Sequence, residues 1–296
     1  GNTTAAAVCR VDTDGTIRIH VGSVDISGTN TGFQLIAAEV LGVPADQVEI
    51  VAGDTRSGPF AGPSGGSQIT YAVGGAVAEA ARAARRQLLE LASQQFEASV
   101  EDIEIRDGRA FVRGVPARAI PVADLARRAE EQRGGPGPVV GEGRSAPEQN
   151  APGFVVHIAK VRVDRETGTV TPLQYVAIQD VGFVINPLLL EGQIHGGSGQ
   201  GIGFGLYEAL RYDDNGELLT ATLMDYTLPR ATELPPIEAV FVERPSPHGP
   251  FGARGVGEPP ITAGAAALAN AVRAAAGVRL SETPLRDELV WRALNA

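Results

Sequence analysis

Cysteine is nearly absent: Cys9 stands alone in 296 residues. One thiol cannot close an internal disulfide, and it cannot build a Cys-rich zinc or iron–sulfur site within this chain. The count is compatible with a reducing compartment. Histidine is almost as scarce. His20, His157, His195 and His248 are scattered along the sequence and suggest no metal-binding cluster. Lysine occurs once, at Lys160, among 25 basic residues, which reads as a codon-composition effect and not as chemistry. No apolar run approaches the roughly 20 residues needed to cross a bilayer. No basic segment followed by an apolar stretch opens the chain, so no signal peptide is expected. The chain begins Gly1-Asn2-Thr3 and its one methionine is Met224, which reads as a processed or excised start. Positive charge is also short. The formal net charge of −10 argues against nucleic acid or an anionic membrane as partner.

What is present is ordinary globular material, 43% hydrophobic and 20% charged, enough to bury a sizeable core. The 37 glycines and 20 prolines punctuate short elements and do not form one low-complexity block. Val8 to Val21 reads as a hairpin turning at Asp14-Gly15. Thr31 to Leu41 reads as a helix stopped by Gly42 and Pro44, Val48 to Ala52 as a strand, and Thr70 to Phe96 as a long Ala-rich helix. A second hairpin runs Ile103 to Val112 around Asp107-Gly108. Gly134 to Pro152 reads as a linker. Beyond it come a hairpin from Val155 to Ile178 around Gly168 and a Gly-interrupted helix from Leu188 to Leu206. A further hairpin turns at Asp214-Asn215-Gly216, and Ala263 to Ala276 reads as the final helix. Val11-Asp12-Thr13-Asp14-Gly15-Thr16 matches Val163-Asp164 followed by Thr167-Gly168-Thr169. The expected fold is therefore α+β and two-lobed, with mixed sheets, packed helices and an internal duplication. The first lobe spans residues 1–145 and the second 153–296.

Three segments carry candidate chemistry. Gly62-Pro63-Ser64-Gly65-Gly66-Ser67-Gln68-Ile69-Thr70 precedes the long helix. It is either an anion cradle of backbone amides or a plain loop with Ser67 or Thr70 near the cap. The same stretch matches Gly-x-Ser-x-Gly, and Asp180 or Asp225 with His248 would complete a triad. A hydrolase elbow, however, sets its serine directly between strand and helix, and here about ten residues with Pro59 and Pro63 intervene. Glycines 192, 196, 197, 199, 201, 203 and 205 interrupt one helix, each at a cost of roughly 1 kcal/mol relative to alanine. That cost implies close approach of a ligand or of another backbone, and Gln193 among them both donates and accepts. No Gly-Lys-Ser/Thr occurs, so there is no P-loop. Finally, Glu258 lies between Gly255-Val256-Gly257 and Pro259-Pro260. A rigidly held, buried acid there would act as a proton acceptor. It would equally suit a cap of the helix near Thr262, and spacing alone does not choose.

In order along the chain stand Ala38-Glu39 through Leu41-Gly42-Val43-Pro44, Val48 to Asp54-Thr55, and Gly65-Gly66-Ser67 to Thr70. Then come Asp180-Val181-Gly182 with Asn186-Pro187, Gly192-Gln193 to Gly196-Gly197, Gln200-Gly201, Asp225-Tyr226 and Gly255-Val256-Gly257-Glu258. This ordered set resembles the molybdopterin-binding large subunit of the xanthine dehydrogenase/aldehyde oxidase family, in its C-terminal portion. The resemblance implies a molybdenum-containing oxidoreductase that hydroxylates an aldehyde or N-heterocycle with water-derived oxygen. It implies Glu258 as the catalytic base and Gly66, Ser67, Thr70 and Gln193 as cofactor contacts. The metal would be held by the pterin dithiolene and not by protein ligands. The cofactor implied is molybdopterin with molybdenum in its cytosine dinucleotide form. Iron–sulfur clusters and FAD are implied in partner subunits.

The implied partners are the N-terminal half of the molybdopterin subunit, an iron–sulfur subunit, a flavin subunit and a small-molecule substrate, in the cytoplasm. Two departures stand out. The family's Gly-Gln-Gly after the first hairpin is replaced by Asp25-Ile26-Ser27-Gly28-Thr29-Asn30-Thr31, which passes those contacts to Gly28 and Thr29. The family subunit is also more than twice as long. A non-catalytic cofactor-binding or assembly module of the same fold is the alternative.

Overall fold

The computed structural model describes residues 3–131 and 135–296. They form two compact units. The first holds the described residues up to Ala151 with Phe183–Asn186 and Pro245–Gly255. The second holds Pro152–Gly182, Pro187–Arg244 and Val256–Ala296.

Alternation sets the sheet of the first unit. Ala5, Ala7, Cys9 and Val11 of β1 (Ala5–Val11) are buried, as are Ile17, Ile19 and Val21 of β2 (Ile17–Val21). Period-2 spacing puts each strand's set on one face. Burial among these chains pushes the Cys9 thiol up to about 12, so it packs as a small apolar group. The strands pair antiparallel across a turn in which the Thr16 N–H donates to the Asp14 carboxylate at 2.8 Å. Next comes α1 (Thr29–Leu41). It ends at Gly42, whose φ of 75° lets its N–H donate back to the Ala38 carbonyl at 2.9 Å. β3 (Val48–Val51) then lies parallel to β2. α2 (Ile69–Phe96) buries Ala72, Ala76, Ala80, Ala84, Leu88 and Ala92 at four-residue spacing. β4 (Ile103–Arg106), β5 (Arg109–Val112) and β6 (Ile120–Pro121) form a small antiparallel sheet, followed by α3 (Val122–Glu131).

The linker expected from Gly134 to Pro152 is overturned over Val139–Ser145. Gly134 itself lies outside the described residues, but Val139–Ser145 is a strand, β7, antiparallel to β1 over seven residue pairs. It completes the order β3-β2-β1-β7. Its glycines are a packing surface. A Cβ on Gly141 would fall inside the Ala80 carbonyl oxygen of α2, and one on Gly143 inside that of Ala76.

In the second unit β8 (Val155–Val163) and β9 (Val170–Asp180) form a hairpin. The Asp164 carboxylate accepts from the N–H groups of Glu166 and Thr167 at 2.9 and 3.1 Å. α4 (Pro187–Leu206) follows, and β10 (Ile237–Val242) lies parallel to β9, giving the order β10-β9-β8. α5 (Pro259–Thr262) and α6 (Gly264–Ala276) come next. The core holds Tyr175, Ile194, Ile202, Leu268 and Val290. Each unit thus runs hairpin, helix, parallel strand, helix. The hairpin expected at Asp214-Asn215-Gly216 is reduced to a single bridge between Tyr212 and Leu218, around a turn in which the Asp213 carboxylate accepts from the N–H groups of Asn215 and Glu217. Nor is α6 the last helix. α7 (Asp287–Leu294) follows it, packing Val290 into the core while its backbone leaves no room for a Cβ on Gly168.

Gly143→Ala should lose about 1–3 kcal/mol or more through overpacking, read by urea denaturation, and an unchanged midpoint would contradict the packing described here. A second expectation concerns acid. His157 Nδ1 lies 2.7 Å from the Tyr175 hydroxyl, and burial holds the imidazole below its ordinary value and the phenol above its own. A folded value below the unfolded one favours the neutral ring. That contribution is present above about pH 6.5 and is lost as pH falls through the folded value. His157→Gln should therefore flatten the stability–pH curve below pH 6.5, and an unaltered slope would remove His157 as its cause.

Candidate cofactor-binding site

In the first unit the segment before α2 is held open by its own backbone. Gly66 and Ser67 take φ of 73° and 56°, and a Cβ on Gly65 or Gly66 would meet nothing within 4 Å. Gln68, which the sequence reading passed over, ties the loop down. Its buried amide donates to the Pro63 carbonyl at 3.1 Å and accepts from the Thr3 hydroxyl at 2.5 Å. Gln68 is also the N-cap position of α2, without a side-chain capping bond, so neither Ser67 nor Thr70 serves as the cap. Thr70 sits half-buried in the first turn of the helix. Gly255 approaches the same loop so closely that a Cβ on it would overlap the Ser67 carbonyl oxygen. The signal for Gln68 was its place between the Gly-Gly-Ser run and the helix, but its partners Thr3 and Pro63 are tertiary and unreadable from the sequence.

Gly28 is the N-cap of α1, with φ of 74°. The segment that replaces the family's Gly-Gln-Gly closes on itself. The Asp25 carboxylate accepts from the Asn30 N–H at 3.1 Å and the Thr29 hydroxyl at 3.3 Å. A carboxylate thus sits where a helix N-terminus otherwise favours an external anion.

Five of the seven glycines of α4, in the second unit, fall into two groups. Gly197, Gly201 and Gly205 recur every four residues, and each lies against the α5–α6 segment. A Cβ on Gly197 would come within 2.6 Å of Pro260 Cβ, one on Gly201 within 3.2 Å of Gly264 Cα, and one on Gly205 within 2.7 Å of Leu268 Cδ1. Gly192 and Gly196 have nothing within 4 Å. The expected close approach of another chain segment is therefore met along one stripe, while Gly192 and Gly196 face open space. Gln193 stands one turn before Gly197, and its amide donates to the Gly257 carbonyl at 2.7 Å.

Glu258 follows directly. It occupies the N-cap position of α5 with no side-chain capping bond, so the cap is positional only. The expectation that it is buried is corrected: Glu258 is exposed, while Pro260 takes the buried position against Gly197. Pro260 carries the packing and the acid stays on the surface.

The hydrolase triad does not assemble. His248 Nε2 lies 3.0 Å from the Gln149 side-chain oxygen, and among the described residues no hydrogen bond joins it to Ser64. Among the described residues, too, no group of three or more His, Cys, Asp or Glu is placed to hold a metal ion. No helix among the described residues is long and apolar enough to cross a membrane.

Mixed sheets with helices packed on them make each unit an α+β structure. Residues 1–235 match the model of the molybdopterin cofactor-binding domain. The chain is 35% identical over 296 residues to the nicotine 6-hydroxylase large subunit of Paenarthrobacter nicotinovorans, covering 97% of this chain and 36% of that protein. It is 34% identical to the carbon monoxide dehydrogenase large chain of Hydrogenophaga pseudoflava, covering 90% and 34%. Quinoline 2-oxidoreductase from Pseudomonas putida 86 superposes with a TM-score of 0.92 at 33% identity, covering 99% of this chain and 38% of that one. The chain belongs to the molybdopterin cofactor-binding domain family, within the xanthine dehydrogenase/aldehyde oxidase group. It spans little more than a third of the length of these relatives.

The two classes of α4 glycine make opposite expectations for the cofactor-free protein. Gly197→Ala should destabilise it by about 1–3 kcal/mol. Gly192→Ala should stabilise it by up to about 1 kcal/mol through helix propensity. Denaturant midpoints shifting in the same direction would undo the division.

Proposed function

We propose that this chain supplies a molybdopterin-binding part of a molybdenum hydroxylase, with Glu258 as its catalytic base. The substrate class is an aldehyde or an electron-poor N-heterocycle, and the oxygen added comes from water. The observation that carries the reading is the α4 stripe, which holds the exposed Glu258 turn through Pro260 against Gly197 and the Gln193 amide on the Gly257 carbonyl. When bound, the cofactor supplies the two-electron oxidation. The chain's own residues bind and orient it. Gly66 and Ser67 offer backbone, Thr70 a hydroxyl, Gln193 the free edge of its amide, and Gly28 and Thr29 the start of α1. Glu258 takes up a proton at its carboxylate as the new carbon–oxygen bond forms. The relatives named nicotine 6-hydroxylase and quinoline 2-oxidoreductase support a heterocyclic substrate.

The same reading gives the cofactor its cytosine dinucleotide form. It places this chain in a cytoplasmic complex with the remainder of the molybdopterin subunit, an iron–sulfur subunit and a flavin subunit. It also takes the hairpin–helix–strand–helix order shared by the two units as the trace of a duplication. One observation favours the alternative of a non-catalytic cofactor-binding or assembly module: Asp25 already fills the N-terminus of α1, opposing an anionic group there.

The test is Glu258→Gln in the complete complex, produced in a host that makes the cofactor. Molybdenum content should be unchanged and turnover should fall by about 10²–10⁴-fold. Full molybdenum with undiminished turnover would remove Glu258 as the base, and a wild-type complex that loads molybdenum without oxidising any aldehyde or heterocycle would favour the non-catalytic module.

A further inference from the structure

The Gln193 amide raises a question that its assignment to the cofactor leaves open, because part of it is already committed. Its Nε2 donates to the Gly257 carbonyl at 2.7 Å. A carbonyl acceptor fixes which way the amide faces, since Oε1 in that position would repel it. One N–H and Oε1 remain for anything else.

Gln193 is also in register with the glycine stripe. Residues 193, 197, 201 and 205 follow one another at four-residue spacing on one face of α4. In the same order they meet Gly257, Pro260, Gly264 and Leu268. The stripe therefore grips the segment from Gly257 to Leu268 at four successive heights. Three of the grips are close approaches across glycine, and the topmost is a hydrogen bond. Glu258 lies between the first grip and the second. Pro260 against Gly197 fixes its C-terminal side, and Gln193 on the Gly257 carbonyl fixes the peptide that immediately precedes it. Gly257 has no side chain to hold that peptide, so the amide is its anchor.

We infer that Gln193 is a positioning residue for Glu258, setting where the carboxylate is presented through the Gly257 peptide. This rests on Glu258 being the base. The α4 side supplies a rigid helix, and an exposed Gly257-Glu258 pair without this bond would sample other backbone conformations. A displacement of the base by about 1 Å is enough to cost on the order of 100-fold in rate.

Two substitutions in the complete molybdenum complex test it. Gln193→Leu keeps the bulk and removes the donor. Gln193→Glu keeps the shape but places a second acceptor against the Gly257 carbonyl until the new carboxyl is protonated. For Gln193→Leu, kcat per bound molybdenum should fall about 100-fold with KM little changed. Hydrogen–deuterium exchange over residues 255–262 should rise while that over α6 stays constant. Gln193→Glu should regain activity, relative to the wild type at each pH, as pH falls. Unchanged exchange over 255–262, or molybdenum loss with full turnover per metal retained, would overturn the inference and leave Gln193 as a cofactor contact only. If Glu258→Gln keeps full turnover, the catalytic reading fails by itself, and the exchange data still report whether Gln193 holds the turn.

Discussion

The site depends on one constraint, the absence of side chains along a single stripe of α4. Without a Cβ at 197, 201 and 205, helix α4 lets the α5–α6 segment approach to backbone contact, and at Gly201 and Gly264 glycine meets glycine. An alanine at Gly197 would overlap Pro260, one at Gly201 would push the facing backbone by a few tenths of an ångström, and one at Gly205 would displace the end of Leu268. The cost is three low-propensity residues in one helix. The return is a turn whose position is set by hard contacts, so that Gly257 and Glu258 project from a rigid base although both are exposed. Rigidity and exposure together are what a group meant to meet a bound molecule requires.

The same device recurs in the first unit with a different partner. There a strand and not a helix gives up its side chains, and the alanines of α2 receive it: Gly141 and Gly143 lie over Ala80 and Ala76. Close packing of this kind leaves little room for relaxation, so single methyl groups matter more than their size suggests. At Gly255 the contact is with the Ser67 carbonyl of the loop that opens α2. Glycine therefore serves two ends in this protein, tight approach at some positions and open backbone at others. Gly65, Gly66, Gly192 and Gly196 belong to the second kind.

Much of this was legible in the chain itself. Alternation in 5–21 and 155–180, the Ala-rich run up to Phe96 and the stop at Gly42 each carry a local physical signal, and the elements formed where those signals lay. Two elements near glycine or polar sequence were not legible. β7 looked like a linker, because nothing local distinguishes glycine chosen for flexibility from glycine chosen for proximity. At Asp213 the turn formed, but its flanks pair at a single bridge only. For the site, the order of the motifs singled out Gln193 and Glu258. Glu258 is exposed, and Pro260 takes the interior position beside it.

By itself, then, the sequence determined the kinds of elements, their order and the residues able to do chemistry, since these follow from periodicity, turn chemistry and side-chain type. Only the tertiary structure decided which glycines press on a neighbour and which face open space. It also decided that the Gln193 amide is spent partly on the Gly257 carbonyl, and that Glu258 stands at the head of a helix it does not cap. Each of these depends on what lies across a gap of a few ångströms, and a glycine's sequence neighbours carry no record of what crosses it.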